Sequence, residues 1–215
     1  GKHLIETNSA LSGNYIVKND TKTIADYAFE SCENLTSITI PDSVTSIGNG
    51  VFSHCGRLVS IELPDNITNI GFGAFSDCCS LTSIVIPDSV NSIGSSAFKY
   101  CGKLTAITIP EGVASIGGFA FLGCVSLTSV TIGKSVTSIG ESAFRDCTSL
   151  NSIRIPEGVK RIGREAFFGC KSLTSINIPN NVTHICVREF YGCTSLTSIS
   201  IPNSVTSIGD GAFYD

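Results

Sequence analysis

The stretch Cys78–Phe98, CCSLTSIVIPDSVNSIGSSAF, decides the fold, because its pattern returns along the chain at a step of 23 residues. Pro87 has counterparts at Pro41, Pro64, Pro110, Pro156, Pro179 and Pro202, and Leu81 heads a column from Leu35 to Leu196. The neighbouring apolar column reads Ile38, Ile61, Ile84, Ile107, Val130, Ile153, Ile176 and Ile199, so its members drift only between similar shapes. Phe98 belongs to a column that runs from Phe29 to Phe213, one coil further at each end than the Leu column. A unit this short cannot bury its own apolar face. Stacking on identical neighbours is the way such units acquire a core, and the chain is therefore a solenoid of about eight coils flanked by partial ones.

Within the unit, Ile84 and Ile86 point one way and Val85 the other, which is the alternation of a short strand. Pro87 ends it, since proline has no N–H to donate to a ladder. Val90 to Ile93 reads as a second short strand, and the Ala97-Phe98 pair with Cys101 three residues on reads as a 3₁₀ or helical turn on the return side. Stacked coils make the strands a parallel sheet, and eight of them make a rod of about 40 Å at a strand spacing of ~4.8 Å. The Phe column would then stack at about 5 Å, within the favourable range for offset rings.

The glycine column (Gly48, Gly71, Gly94, Gly117, Gly140, Gly163, Gly209) is interrupted by Ala25 and Cys186, which points to a need for room rather than for positive φ. The coil at 180–193 departs further, with Glu189 where other coils carry Ala or Val, and local distortion is expected there. Phe72 and Phe119, in the variable turn after the glycine, are expected to pack sideways on adjacent coils.

The 42% hydrophobic content and 15% charged residues fit a rod with filled inner columns. No apolar run approaches the roughly 18 residues of a membrane span. Residues 1–133 hold 6 basic and 11 acidic side chains, net −5, and residues 134–215 hold 8 and 7, net +1. Arg145, Arg154, Lys160, Arg161, Arg164 and Lys171 fall in consecutive coils, interspersed with Glu157 and Glu165, and read as a solvated face. Without aromatic interleaving they do not suggest a nucleic-acid partner.

Of ten cysteines, eight form one column from Cys32 to Cys193. Their Cα–Cβ vectors would be parallel and about 5 Å apart, whereas a disulfide needs Cβ atoms near ~3.8 Å that face one another. Free buried thiols are expected. A linear ladder also lacks the tetrahedral convergence that zinc requires, so no metal and no cofactor are expected. Cys79 lies outside the column and is the candidate exposed, reactive thiol.

His3, His54 and His184 are scattered, and no metalloprotease, phosphate-loop or nucleophile-elbow motif occurs. No catalytic residues are assigned. An enzyme would need two carboxylates or a His–carboxylate pair in a pocket near the 184–193 coil. The Ser and Thr columns beside the strand read as hydroxyl ladders. The most varied strand column is Thr39, Glu62, Val85, Thr108, Thr131, Arg154, Asn177 and Ser200, which should face solvent between two inward columns. That row is the candidate binding face. Asn19, Asn34, Asn66 and Asn181 open Asn-x-Ser/Thr tripeptides, which matter only in a eukaryotic secretory setting.

The pattern Cys-x-x-Leu-x-x-Ile-x-Ile-Pro-x-x-Val-x-x-Ile-Gly-x-x-Ala-Phe resembles the BspA-like, Treponema-type class of leucine-rich repeats over about residues 24–215. The resemblance implies a leucine-rich repeat solenoid of cell-surface or secreted proteins, some of which bind host matrix proteins or other bacteria. It names no binding residues. Residues 1–23 fit less well, and Tyr15 to Val17 is in phase with the strand columns, as in a degenerate capping coil. The chain starts at Gly1, contains no Met and stops one residue before the next Cys is due, which reads as an excised piece. Function reads as a non-catalytic recognition or adhesion module for an extracellular protein or glycan. The alternative is a spacer or stalk.

Overall fold

The computed structural model describes residues 2–4 and 11–215. Its strands in chain order are β1 (Lys2–Leu4), β2 (Ser12–Ile16), β3 (Thr21–Ile24), β4 (Asn34–Thr39), β5 (Ser46–Ile47) and β6 (Ser60–Glu62). There follow β7 (Asn69–Ile70), β8 (Ser83–Ile84), β9 (Ser92–Ile93), β10 (Ala106–Ile109), β11 (Ser115–Ile116) and β12 (Ser129–Ile132). The last are β13 (Ser138–Ile139), β14 (Ser152–Ile153), β15 (Arg161–Ile162), β16 (Ser175–Ile176), β17 (His184–Ile185) and β18 (Ser207–Ile208). Every pairing is parallel, and those that follow β3 and β4 join positions 23 residues apart in successive coils, as Ile38 beside Ile61 and Ile61 beside Ile84. The chain is a parallel β-solenoid with a 23-residue period.

Two faces result. The first-strand face comprises the ladders β2-β4-β6-β8, β10-β12 and β14-β16. The second-strand face comprises β1-β3-β5, a five-stranded sheet β15-β13-β11-β9-β7, and the pair β17-β18. Near the N-terminus β2 pairs β4 with one register irregularity at Gly13/Asn14, and Tyr15 meets Phe29 edge-on at 5.4 Å.

Between the coils' inner columns lies a dry core. Phe29 to Phe190 are buried and stack with ring centroids 5.3–5.7 Å apart. The thiols of the Cys column are buried and form no disulfide, and those from Cys55 to Cys193 each donate to the carbonyl of a Phe in the preceding coil, as Cys124 to Phe98 at 3.1 Å.

The return side contains no helix among the described residues; it is a stack of single turns. Ala97, Lys99 and Cys101 donate to carbonyls three residues back, Gly94, Ser96 and Phe98. The intervening N–H groups of Ser96, Phe98 and Tyr100 donate instead to Gly118, Ala120 and Leu122 of the next coil. Alternation of local and inter-coil bonds breaks the run that a 3₁₀-helix needs. It also places two columns in the left-handed region, including Ser96 (φ 58°), Tyr100 (φ 59°), Phe119 (φ 58°) and Glu165 (φ 56°).

The glycine column has ordinary φ, and its role is room. A Cβ on Gly94 would lie 2.7 Å from the carbonyl carbon of Gly71. Phe72 and Phe119 do not bury themselves against adjacent coils; they are 54% and 37% exposed, because the turn aims their side chains outward.

Candidate functional site

The varied first-strand column lies where alternation places it. Thr39, Glu62, Val85, Thr108, Thr131, Arg154 and Ser200 are exposed, with Val85 at 80%. Thr39 pairs with Glu62, Thr108 with Thr131, and Asn177 with Ser200. Ile16, 71% exposed and paired with Thr39, continues the column. Its step of 23 residues before Thr39 was the available signal. Asn177 departs from the expectation of a solvent-facing row. Its amide is half-buried because it accepts from the Ile155 N–H at 2.9 Å and donates to the Ile155 carbonyl at 2.8 Å.

The column is not one continuous strip, since the ladders break between β8 and β10 and between β12 and β14. Gly133 accounts for the second break. It occupies the position that is proline in the other full coils, and its N–H donates to Ile109 at 3.0 Å. A Cβ there would overlap the Pro110 carbonyl, so β12 is drawn onto β10 along four paired residues. On its other side two adjoining depressions open, of about 660 and 630 Å³, which share Val130, Arg154 and Glu157. They bring together Thr131, Arg154 and Asn177 of the eight candidate residues, and add Glu111, Lys134 and Glu157. Glu111 accepts from the Lys134 N–H at 2.7 Å, whereas Arg154 has no ion-pair partner among the described residues. The site can recognise; it presents a free guanidinium, hydroxyls and a short apolar stretch.

The basic residues do not form a single face. Arg154 belongs to the depressions just described, while Lys160, Arg161 and Arg164 lie on the second-strand side. Arg145 is held by Glu165, which Arg188 also approaches at 3.9 Å. Aromatic interleaving is present after all. Arg145 lies 4.3 Å over the Phe168 ring, Phe168 stacks on Tyr191 at 4.8 Å, and Tyr191 stacks on Tyr214 at 5.3 Å. Their common spacing of 23 residues was the missed signal.

Chemistry-bearing groups meet at two other places. Cys79 is exposed and shares a depression of about 400 Å³ with His54 and Asp77, whose side chains lie 3.9 Å apart. Glu189 is fully buried, and burial pushes its carboxyl up to about 8. Its Oε2 accepts from the Cys186 N–H at 2.7 Å, and its Oε1 has no partner. Among the described residues no three His, Cys, Asp or Glu side chains are arranged to hold a metal ion, and no helix is long and apolar enough to cross a membrane.

The family model described as BspA type leucine rich repeat region (6 copies) matches residues 22–147 and again 114–215. The chain belongs to the BspA type leucine-rich repeat family. This BspA type chain is similar to the solved structure of a leucine rich cell surface protein from Faecalibacterium prausnitzii, at 34% identity over 93% of this chain and 66% of that one, with a TM-score of 0.76. It is also similar to a leucine-rich repeat protein from Bacteroides ovatus, at 29% identity over 98% of this chain and 74% of that one, with a TM-score of 0.59. A leucine-rich repeat protein from Eubacterium ventriosum shares the fold at 24% identity over 94% of this chain and 64% of that one, with a TM-score of 0.69. The BspA type chain thus spans about two thirds of the first of these proteins. No curated protein matches it.

Proposed function

We propose that this BspA type chain is a non-catalytic recognition module that holds a protein or glycan at the cell surface through its first-strand face. The observation that carries the reading is the contrast between columns. Inward columns keep Ile, Leu or Val in every coil, while the exposed column between them changes from Thr to Glu, Val, Arg and Ser. The depressions at Arg154 give that face relief. The cell-surface setting is supported by the name of the Faecalibacterium relative.

The spacer reading has one observation in its favour. The hydroxyls of Thr82, Thr128 and Thr174 donate to carbonyls of the preceding coil, so that ladder is occupied internally rather than offered to a ligand.

Binding of the purified chain to an array of matrix proteins and glycans tests the two. A variant carrying Thr39→Ser, Glu62→Ser, Val85→Ser and Arg154→Ser should keep its fold and lose the specific binding. Undiminished binding by that variant would remove the first-strand face from the proposal. Failure of a well-folded chain to bind any member would favour the spacer.

A further inference from the structure

The second-strand face carries an anomaly of its own, visible when coil is compared with coil. Every other described second strand from Ser46 to Ser207 has Ser or Asn at the position taken by Arg161 and His184. The preceding position, which is Thr, Asn or Ala in those strands and Lys22 in β3, is Lys160. These departures occur where the sheet breaks: β15 ends the five-stranded sheet and β17 begins a separate pair.

Cys186 accounts for the break. A Cβ on Gly163, the same column one coil earlier, would overlap the Glu141 amide of the coil before it, and Cys186 carries such a Cβ. The N–H of Gly163 donates to Ile139 in the preceding coil, whereas the N–H of Cys186 turns to Glu189 and its thiol donates to the Ile162 carbonyl at 3.1 Å. Standing off from β15, this coil leaves a groove of about 870 Å³ lined by Lys160, Arg161, Arg164, Thr183 and His184. Arg164 shares its charge with Glu141 at 3.1 Å. Lys160 and Arg161 are exposed and have no ion-pair partner among the described residues. Three cations against one carboxylate, in a hollow edged by hydroxyls, suit an anion, and the arginine fork suits a sulfate or carboxylate in particular.

The groove runs from Ser138 to His184, across three coils, so it favours an extended ligand over a single small ion. Hydroxyls of Ser138 and Thr183 complement sugar hydroxyls. Nucleobases would find no stacking platform of Phe, Tyr or Trp in the groove, whose lining holds none. We propose that this groove is a second binding site, selective for an acidic polysaccharide. It is separate from the first-strand face and does not depend on that face binding anything.

The intact chain would be titrated with heparin, with hyaluronan, with neutral dextran, with single-stranded DNA and with polyglutamate. Binding is expected to heparin, whose sulfates would be the group recognised, or to both acidic glycans if carboxylate suffices, and not to dextran. Lys160→Thr with Arg161→Ser restores residues that other coils carry, so the fold should survive, checked by circular dichroism. That variant should bind about tenfold or more weakly, with a salt slope lower by about two. Should it misfold, Lys160→Gln with Arg161→Gln serves in its place. Lys103→Ser, which removes an exposed cation that lines none of these depressions, should bind like the parent. The proposal fails if the folded chain binds neither acidic glycan, if the double variant retains full affinity, or if DNA and polyglutamate bind as tightly as the glycans.

Discussion

Ser142 shows what the stack imposes on one residue. It holds φ at 52°, is 1% exposed, and its hydroxyl has no hydrogen-bond partner. Its N–H is fixed by the Arg164 carbonyl of the next coil at 2.9 Å, and that bond keeps the backbone in a region that costs a non-glycine residue about 1 kcal/mol or more. Gly50, Gly73 and Gly211 occupy the same column in other coils at similar φ. Ser142→Gly should therefore stabilise the chain by about 1 kcal/mol, and urea denaturation that showed a loss instead would refute the strain. The two left-handed columns were not legible in the sequence, because inter-coil bonds override the φ preference of Ser, Tyr, Phe, Glu and Arg alike. The glycine column was legible, since interruption by Cys and Ala is compatible with a demand for space. The thiols were legible too, from Cβ vectors that a disulfide could not join. Burial pushes Cys55 and Cys124 up to about 12, so native protein exposed to a thiol reagent at neutral pH should label Cys79 first and the core column only on unfolding. Fast labelling of Cys124 in the native state would contradict the packed column.

At the scale of one element, the coil at 180–193 shows how two departures from the repeat compensate. Cys186 loses the place of its N–H in the inter-coil ladder, and Glu189 supplies an acceptor from within the coil. Both departures stand in the sequence, and a local distortion there followed from them; that the second answers the first did not. Burial of Glu189 has a pH consequence. Its folded carboxyl titrates at about 8 against an ordinary 4.5, so between those values the folded chain keeps a proton that the unfolded chain has released. The resulting stabilisation is fully present below about 4.5 and is lost as pH rises toward about 8. Relative to Glu189→Gln, the parent should lose stability with a slope that approaches about 1.4 kcal/mol per pH unit in that window. Parallel curves for the two proteins would show that Glu189 is solvated in solution. The pair should also be non-additive. Glu189→Ala alone leaves the Cys186 N–H without its acceptor, whereas Glu189→Ala with Cys186→Gly restores the ordinary coil and should exceed the sum of the single changes.

Across the whole molecule, stability is a sum of neighbour contacts rather than the property of a central ball. That much follows from periodicity, because any residue 23 positions from another must stack on it. The location of relief on the faces does not follow from periodicity. It arises where a coil breaks its own rule, at Gly133 and at Cys186, and the spatial effect of each depends on which neighbour the coil is drawn toward or away from. A nearest-neighbour core makes a positional prediction. Phe121 is fully buried between Phe98 and Phe144, with ring centroids 5.3 Å away on either side, while Phe213 stacks on Phe190 alone and is 40% exposed. Phe121→Ala should cost about 3 to 5 kcal/mol, through lost transfer free energy and the cavity left between two rings that cannot close the gap. Phe213→Ala removes one contact and opens no cavity, so its cost should stay below about 1.5 kcal/mol. Hydrogen exchange separates the two further. Loss of Phe213 should speed exchange only at amides that lie in the last coil or bond onto it, such as Gly209 and Phe190, whereas loss of Phe121 should speed it at Phe98 and Phe121, whose amides bond to the coils that follow them. Equal costs for the two substitutions, or exchange that quickened uniformly along the chain, would mean that the coils melt as one unit and that the nearest-neighbour account is wrong.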